Sequence, residues 1–163
     1  MLDLRLQPDR RRRSPHRARW MPAIRRAVVA LALPLAACTT TPTPAPLYLQ
    51  LGGVKGIESV TTALLQRMST DPRTQRTFDG IKMPALTESL SKHLCKVADG
   101  PCVYEGETMR NAHADLALTG SEFDVTVQML REELDRAGVS ASAKNELLRR
   151  LAPMRRDMIS PER

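Results

Sequence analysis

The side chains best suited to chemistry lie within one short segment, residues 94–113. It contains two cysteines, Cys95 and Cys102, and one histidine, His113. A neutral imidazole binds transition metals through one ring nitrogen, which makes His113 a candidate metal ligand. The two cysteines lack the further ligands beside them that a zinc site needs. They can instead form a disulfide, remain as two free thiols, or act as a redox pair.

The elements that carry these side chains are predicted to be helical. The apolar pattern of residues 84–97 predicts a helix, and Asp99 begins a Gly-Pro break that ends it. Aspartate tolerates left-handed backbone better than most residues, so we expect Asp99 to be compatible with a turn at this position. After the break, a short helical segment carries Met109 and His113. One face of the 84–97 helix holds Leu86, Leu90, His93, Leu94 and Val97.

The rest of the domain is also predicted to be helical, since no stretch alternates convincingly with period two. A second helix presents one apolar face, formed by Ile57, Val60, Leu64, Leu65 and Met68. Phe78 follows in a connecting segment. Ser121 is the expected N-cap of a later helix and Ser140 that of the last helix, which Pro153 should bend. The predicted fold class is all-α.

The excess positive charge is confined to the N-terminus. The chain carries a formal net charge of +7, and residues 1–37 account for it with nine arginines against two aspartates. From residue 38 onward, 16 basic residues face 16 acidic ones. Because the domain has no net positive charge, we expect no binding to nucleic acid.

Residues 1–37 are predicted to be a basic leader with a lipoprotein signal peptide. Two arginines precede an apolar run of about a dozen residues and then small residues, which is the order of a secretory signal. The string Leu35-Ala36-Ala37-Cys38 resembles a bacterial lipobox, whose cysteine is lipidated. Residues 38–46 are rich in threonine and proline and predict an extended tether.

We therefore expect a cell-envelope protein, anchored to the membrane by lipid on Cys38 and facing the periplasm from the outer membrane. An ordinary signal peptide with a stray cysteine is the alternative. Met21 is an alternative start to Met1.

Five motifs, in their order and spacing, resemble those of the group 1 truncated globins. They are Leu49-x-Leu51-Gly52-Gly53, Asp71-Pro72-Arg73 with Phe78, the Met109 to His113 turn, Phe123-Asp124, and Leu151-Ala152-Pro153-Met154-Arg155. The resemblance extends from about residue 48 to residue 158. It implies a two-over-two helical sandwich around haem b, in a domain of residues 47–160.

The resemblance also implies roles for individual side chains. His113 would bind the haem iron, Phe78 would press on the porphyrin, and Met109 would touch its edge. The coordination position opposite His113 would be open to a gas.

The distal side differs from that of many relatives. Leu65 aligns with a tyrosine common in the family, and Leu86 and Leu90 align with positions that often carry glutamine. These leucines offer no hydrogen bond to bound oxygen, so we expect weak oxygen retention. His93, on the same helix face, could supply a distal donor or a sixth iron ligand. We favour a third interpretation, a histidine at the pocket rim in neither role.

An exported domain meets an oxidising compartment, where Cys95 and Cys102 could form a disulfide. Two free thiols, or a redox pair that regulates the haem pocket, are the alternatives.

The expected function is reversible binding of oxygen, nitric oxide or carbon monoxide at a histidine-ligated iron. One alternative is a nitric-oxide dioxygenase or peroxidase-like haem protein. That chemistry needs an external reductase, because the chain shows no flavin or nicotinamide motif. A second alternative is a haem-free, globin-derived interaction lipoprotein.

Overall fold

The computed structural model describes residues 45–159, which are arranged as helices joined by short connections. The helices are α1 (Leu47–Gln50), α2 (Gly53–Thr70), α3 (Met83–Val97), α4 (Met109–His113), α5 (Gly120–Arg136), α6 (Ala141–Leu151) and α7 (Arg155–Met158), with 3₁₀ turns at Gln75–Phe78 and Ala152–Met154. Within residues 45–159 the β interactions amount to one isolated bridge between Leu118 and Ile159. The prediction of an all-α fold is confirmed. No helix of this part of the chain combines the length and the apolar character needed to cross a membrane.

The core is formed where two pairs of helices cross. Helix α2 packs on α3 and on α5, and α3 also contacts α6, which gives the two-over-two arrangement. The face predicted for the second helix is largely buried here, with Ile57, Val60 and Leu64 all in the core cluster. Met129 of α5 and Leu147 of α6 close the cluster from the opposite layer. Burying each such side chain favours folding by about 1.5–3 kcal/mol.

The start of α5 differs from the prediction. Thr119, rather than Ser121, is the N-cap, and its side chain accepts a hydrogen bond from the backbone N–H of Glu122. The Glu122 carboxylate in turn accepts a hydrogen bond from the backbone N–H of Thr119, at 2.9 Å. This reciprocal capping box needs a glutamate three residues after the cap, which Thr119 has and Ser121 lacks. The N-cap predicted at Ser140 is confirmed, because its hydroxyl accepts from the backbone N–H of Ala143.

The turn after α3 has the backbone conformation expected at Asp99, with φ at +58°. Gly100 follows, and a Cβ there would lie 2.6 Å from the sulfur of Cys95 and 2.5 Å from the ring of Tyr48. Arg150 of α6 holds the turn from the other side, donating to the Val97 carbonyl at 2.7 Å and to the Asp99 carboxylate at 2.6 Å. The close approach therefore requires glycine at position 100.

Arg76 joins the 3₁₀ turn that ends at Phe78 to the chain that follows α4. Its guanidinium donates two hydrogen bonds of 2.6 Å to the Glu122 carboxylate. It also donates to the carbonyls of Leu116 and Ala117, at 3.1 and 3.2 Å. The hydrogen bonds from Arg76 are the main reason why the pKa of Glu122 is lowered from 4.5 to about 2. The Arg76 side chain thus links the 3₁₀ turn at Gln75–Phe78 to the chain at the start of α5.

This pair makes stability depend on pH. Above pH 4.5 Glu122 is charged in both the folded and the unfolded chain, and the bridge contributes fully. As pH falls towards 2 the unfolded chain takes up the proton first, so the contribution is lost. Because Arg76 is partly exposed, we expect Glu122→Gln to lower the free energy of unfolding by only about 1 kcal/mol at pH 6.

Urea unfolding of the two proteins from pH 6 to pH 2 measures this difference, which should shrink towards zero at the acid end. Glu88→Gln is the matched control, since Glu88 forms only an exposed pair with Lys92 one helical turn away. A difference that stays constant across the range contradicts the assignment to Glu122.

Candidate functional site

The imidazole of His113 is held in a defined orientation by its own helix. Thr108 caps the five-residue helix α4 by accepting a hydrogen bond from the backbone N–H of Asn111 at 3.2 Å. Inside the helix, Nδ1 of His113 lies 2.8 Å from the carbonyl oxygen of Met109. A carbonyl oxygen can only accept, so Nδ1 carries the proton and donates. Nε2 therefore keeps its lone pair, which is the form of imidazole that binds a metal.

The large apolar side chains predicted to contact haem are a half-buried group. This group comprises Phe78, Leu86, Leu90 and Met109. The core differs, since Met129 and Leu147 are at most 1% exposed. Leu90 packs against the core cluster, whereas Phe78, Leu86 and Met109 are not among the side chains packed on it. These three therefore keep apolar surface that a further apolar group can cover.

Leu65 differs from the half-buried group. It is 3% exposed, as little as the core residues, yet it does not belong to the main core cluster. It lies one residue after Leu64, which does belong to that cluster, so the two leucines leave α2 in different directions. Leu65 thus gives α2 a second apolar contact surface, away from the main core.

His93 is the most unusual polar side chain of the described residues. It is 9% exposed, and neither ring nitrogen has a hydrogen-bond partner within residues 45–159. Burial lowers its pKa, and electrostatic interactions with Lys96 and His113 lower the pKa further. It lies three residues after Leu90, on the same face of α3. The structure therefore places His93 near His113.

Tyr104, which begins the Tyr-x-Gly turn of the sequence, makes a contact in this region that the sequence did not predict. Its ring packs edge-on against His93, with the ring centres 4.9 Å apart, and its hydroxyl donates to the Glu107 carbonyl at 2.8 Å. The only signal in the sequence was an aromatic residue two positions before Gly106, where a Cβ would lie 2.5 Å from the Tyr104 ring. Tyr104 thus connects α3 to the segment that leads to His113.

Cys95 and Cys102 are joined by a disulfide, with their Cα atoms 5.8 Å apart. Cys95 lies in the core at 1% exposure, whereas Cys102 is half-buried. The bond ties the last turn of α3 to the chain beyond the Gly100 turn. Cys38, the predicted lipidation site, lies outside the described residues, as do residues 1–37 and most of the tether.

Comparison with known proteins agrees with this arrangement. The model of the family described as "Bacterial-like globin" matches residues 46–160. A group 1 truncated haemoglobin of Tetrahymena pyriformis is 26% identical over 113 residues, covering 69% of this chain and 93% of its own length. The group 1 truncated haemoglobin GlbN of Mycolicibacterium paratuberculosis is 26% identical over 116 residues, covering 71% of this chain and 85% of its own.

Solved structures give the same result. The Fe(III) form of the T. pyriformis truncated haemoglobin superposes with a TM-score of 0.67 at 25% identity, over 70% of this chain and 97% of that one. The 2/2 haemoglobin of Synechococcus sp. PCC 7002, solved in the cyanomet state with covalently attached haem, gives the same score and identity over 71% and 98%.

These residues fit the cofactor of the relatives. Haem is a flat, largely apolar group with one iron, and the chain presents part-exposed apolar side chains and one imidazole whose Nε2 keeps a lone pair. The family match covers well over half of the chain. The chain therefore belongs to the bacterial-like globin family, as a truncated globin with haem as its cofactor.

Proposed function

We propose that this protein reversibly binds a diatomic gas at a haem iron that His113 ligates. His113 would hold the haem, and bound haem would supply the iron that binds the gas. The single observation that carries the proposal is the 2.8 Å contact between Nδ1 of His113 and the Met109 carbonyl. That hydrogen bond directs Nε2 outward from α4 as a lone-pair donor.

The hydrogen bond to Met109 also sets how strongly His113 donates. An imidazole whose second nitrogen gives its proton to a backbone carbonyl keeps one tautomer and one ring orientation. A neutral carbonyl acceptor polarises the ring less than a carboxylate would. His113 is therefore a neutral imidazole ligand, which suits reversible gas binding better than activation of a bound oxygen species.

The wall proposed to face the gas is apolar. Leu65, Leu86 and Leu90 can exclude water, but none can donate a hydrogen bond to a polarised ligand. Oxygen gains from such a donor, while carbon monoxide and nitric oxide depend on it less. We infer rapid release of oxygen and a relative preference for the other two gases.

Replacing the imidazole tests the ligand assignment. His113→Ala should lower haem affinity at least about tenfold, because losing even a residue that supports a metal ligand costs 10- to 100-fold. The measurement is the Soret band of the purified protein titrated with haemin, in the ferric state and in the ferrous state with carbon monoxide. Added imidazole should restore the spectrum in the smaller variant His113→Gly.

The matched control is His93→Ala, which removes the other imidazole of the described residues. It should keep the Soret band and a gas-free spectrum like that of the parent protein. The assignment of His113 as the ligand is contradicted if His113→Ala keeps full haem affinity. It is also contradicted if His93→Ala loses as much haem affinity as His113→Ala. A six-coordinate spectrum that disappears only in His93→Ala would assign His93 as a second ligand.

Adding a donor to the apolar wall tests the gas preference. Leu65→Tyr should slow oxygen dissociation by about one to two decades, because the new hydrogen bond is worth about 1–3 kcal/mol. Carbon monoxide dissociation should change far less. Flash photolysis and stopped-flow mixing measure both rates, and Leu65→Phe controls for the larger ring. Slow oxygen release from the parent protein itself would contradict the proposed apolar wall.

We also propose that the protein is exported and lipid-anchored through Cys38, on the support of the leader and the string before that cysteine. A lipidated chain partitions into the detergent phase of a Triton X-114 extraction, because each acyl chain adds buried methylene groups. Cys38→Ser should move the protein to the aqueous phase. Equal partitioning of the two proteins contradicts the anchor.

A further inference from the structure

We infer that the Cys95–Cys102 disulfide is a site of thiol–disulfide exchange, whose reduction by an external dithiol loosens the hold on haem. The inference rests on the proposed function, since it concerns the segment that leads to His113. It depends on three features of the described residues: access to the sulfurs, the few contacts of residues 101–107, and the position of α4 directly after these residues.

A groove gives access to the bond. It has a volume of about 390 Å³ and lies between α2 and α3, with both cysteines among its lining residues. Cys95 is 1% exposed and Cys102 is half-buried, so an incoming thiolate reaches Cys102 more easily.

The exchange is a balanced two-electron reaction. One thiolate of the dithiol attacks Sγ of Cys102, the disulfide breaks, and its electron pair leaves on Sγ of Cys95, which takes up a proton. The second thiol of the reagent then attacks the mixed disulfide and releases Cys102 as a thiol. The reagent leaves as a disulfide. Because Cys95 stays beside the mixed disulfide and can re-form the original bond, a dithiol that resolves the intermediate is favoured over a simple thiol.

Few other contacts fix the segment that the bond anchors. From Pro101 to Glu107 no backbone group hydrogen-bonds to another backbone group of the described residues. Val103 is 71% exposed, and the hydroxyl of Tyr104 bonds only within the segment, to Glu107. The edge-on packing of Tyr104 on His93 is one non-covalent contact between this segment and α3.

This segment, which we call the 101–107 linker, leads directly into α4. Thr108 caps α4, and His113 ends it. Helix α4 also packs on α7, and Arg110 of α4 pairs with Asp157 of α7 at 2.6 Å. Reduction therefore leaves α4 docked on α7 but frees its connection to α3. The orientation of His113 relative to Leu86 and Leu90 on α3 then becomes less fixed.

The test uses the full chain with Cys38→Ser, so that Cys95 and Cys102 are the remaining cysteines. Its partner variant carries Cys95→Ser and Cys102→Ser in addition. Each protein is treated with dithiothreitol, freed of reagent under argon, and compared with its untreated form. The first measurement is hydrogen exchange of residues 101–113, in the haem-free and in the haem-loaded protein. The second is the rate of haem transfer to excess apomyoglobin.

Reduction should speed exchange in the 101–107 linker and α4, leave α2 and α5 within about twofold, and raise haem loss about tenfold, as expected for coupled sites. If the reduced protein binds haem about tenfold more weakly at equilibrium, haem-loaded protein should need an about tenfold higher ratio of reduced to oxidised dithiothreitol for equal reduction. The double serine variant should show the same hydrogen exchange and haem loss as the reduced protein, and dithiothreitol should change neither. Unchanged linker exchange and unchanged haem loss after complete reduction overturn the inference.

The two proposals fail in different ways. If the oxidised protein takes up no haem, the proposed function fails, while linker exchange in haem-free protein still tests the effect of the disulfide. If haem binds through His113 but reduction changes neither readout, the proposed function stands and the exchange site is wrong. An equal rise of exchange throughout the domain assigns the bond a purely structural role and also overturns the inference.

Discussion

The orientation of one imidazole depends on a single backbone carbonyl. In a helix of only five residues, the Met109 carbonyl lies one turn before His113 and accepts from its ring. The acceptor fixes which nitrogen carries the proton and, with it, which nitrogen can bind a metal. The position of this short helix depends in turn on its packing against α7 and on the 101–107 linker, which the disulfide joins to α3.

The apolar side chains differ in how completely they are buried. Leu64, Met129 and Leu147 are buried and form a continuous core. Phe78, Leu86 and Met109 remain half-buried and are not among the side chains packed on that core. A chain with only two phenylalanines and two tyrosines has little aromatic volume with which to cover them by itself. The cofactor of the family is a large apolar group that would add such volume to the domain.

Sequence patterns predicted the helices, because apolar faces depend on local spacing. The ligand role of His113 came from the family resemblance and stays a prediction. The apolar faces of α2 and α3 follow from the helical period, and the left-handed backbone at Asp99 follows from residue type beside a Gly-Pro break. The contacts of Arg76 and Tyr104 could not be predicted in this way. Arg76 bonds to carbonyls 40 and 41 residues away, and an exposed-looking arginine gives no sign of such a partner. The N-cap at Thr119 was missed because a serine two residues later looked equally suitable, and only the glutamate at position 122 separates them.

The bridge from Arg76 also limits how the chain can vary in length. Its guanidinium bonds to Leu116, Ala117 and Glu122, which lie before and inside the first turn of α5. Ala117 has φ at +45°, an uncommon conformation for a residue with a Cβ. A surface loop between two helices usually tolerates an extra residue. In this loop, however, Arg76 holds the carbonyls of both Leu116 and Ala117. An insertion or deletion between α4 and α5 would have to break these hydrogen bonds. We therefore expect this connection to keep a fixed length while the lengths of other loops in the domain vary.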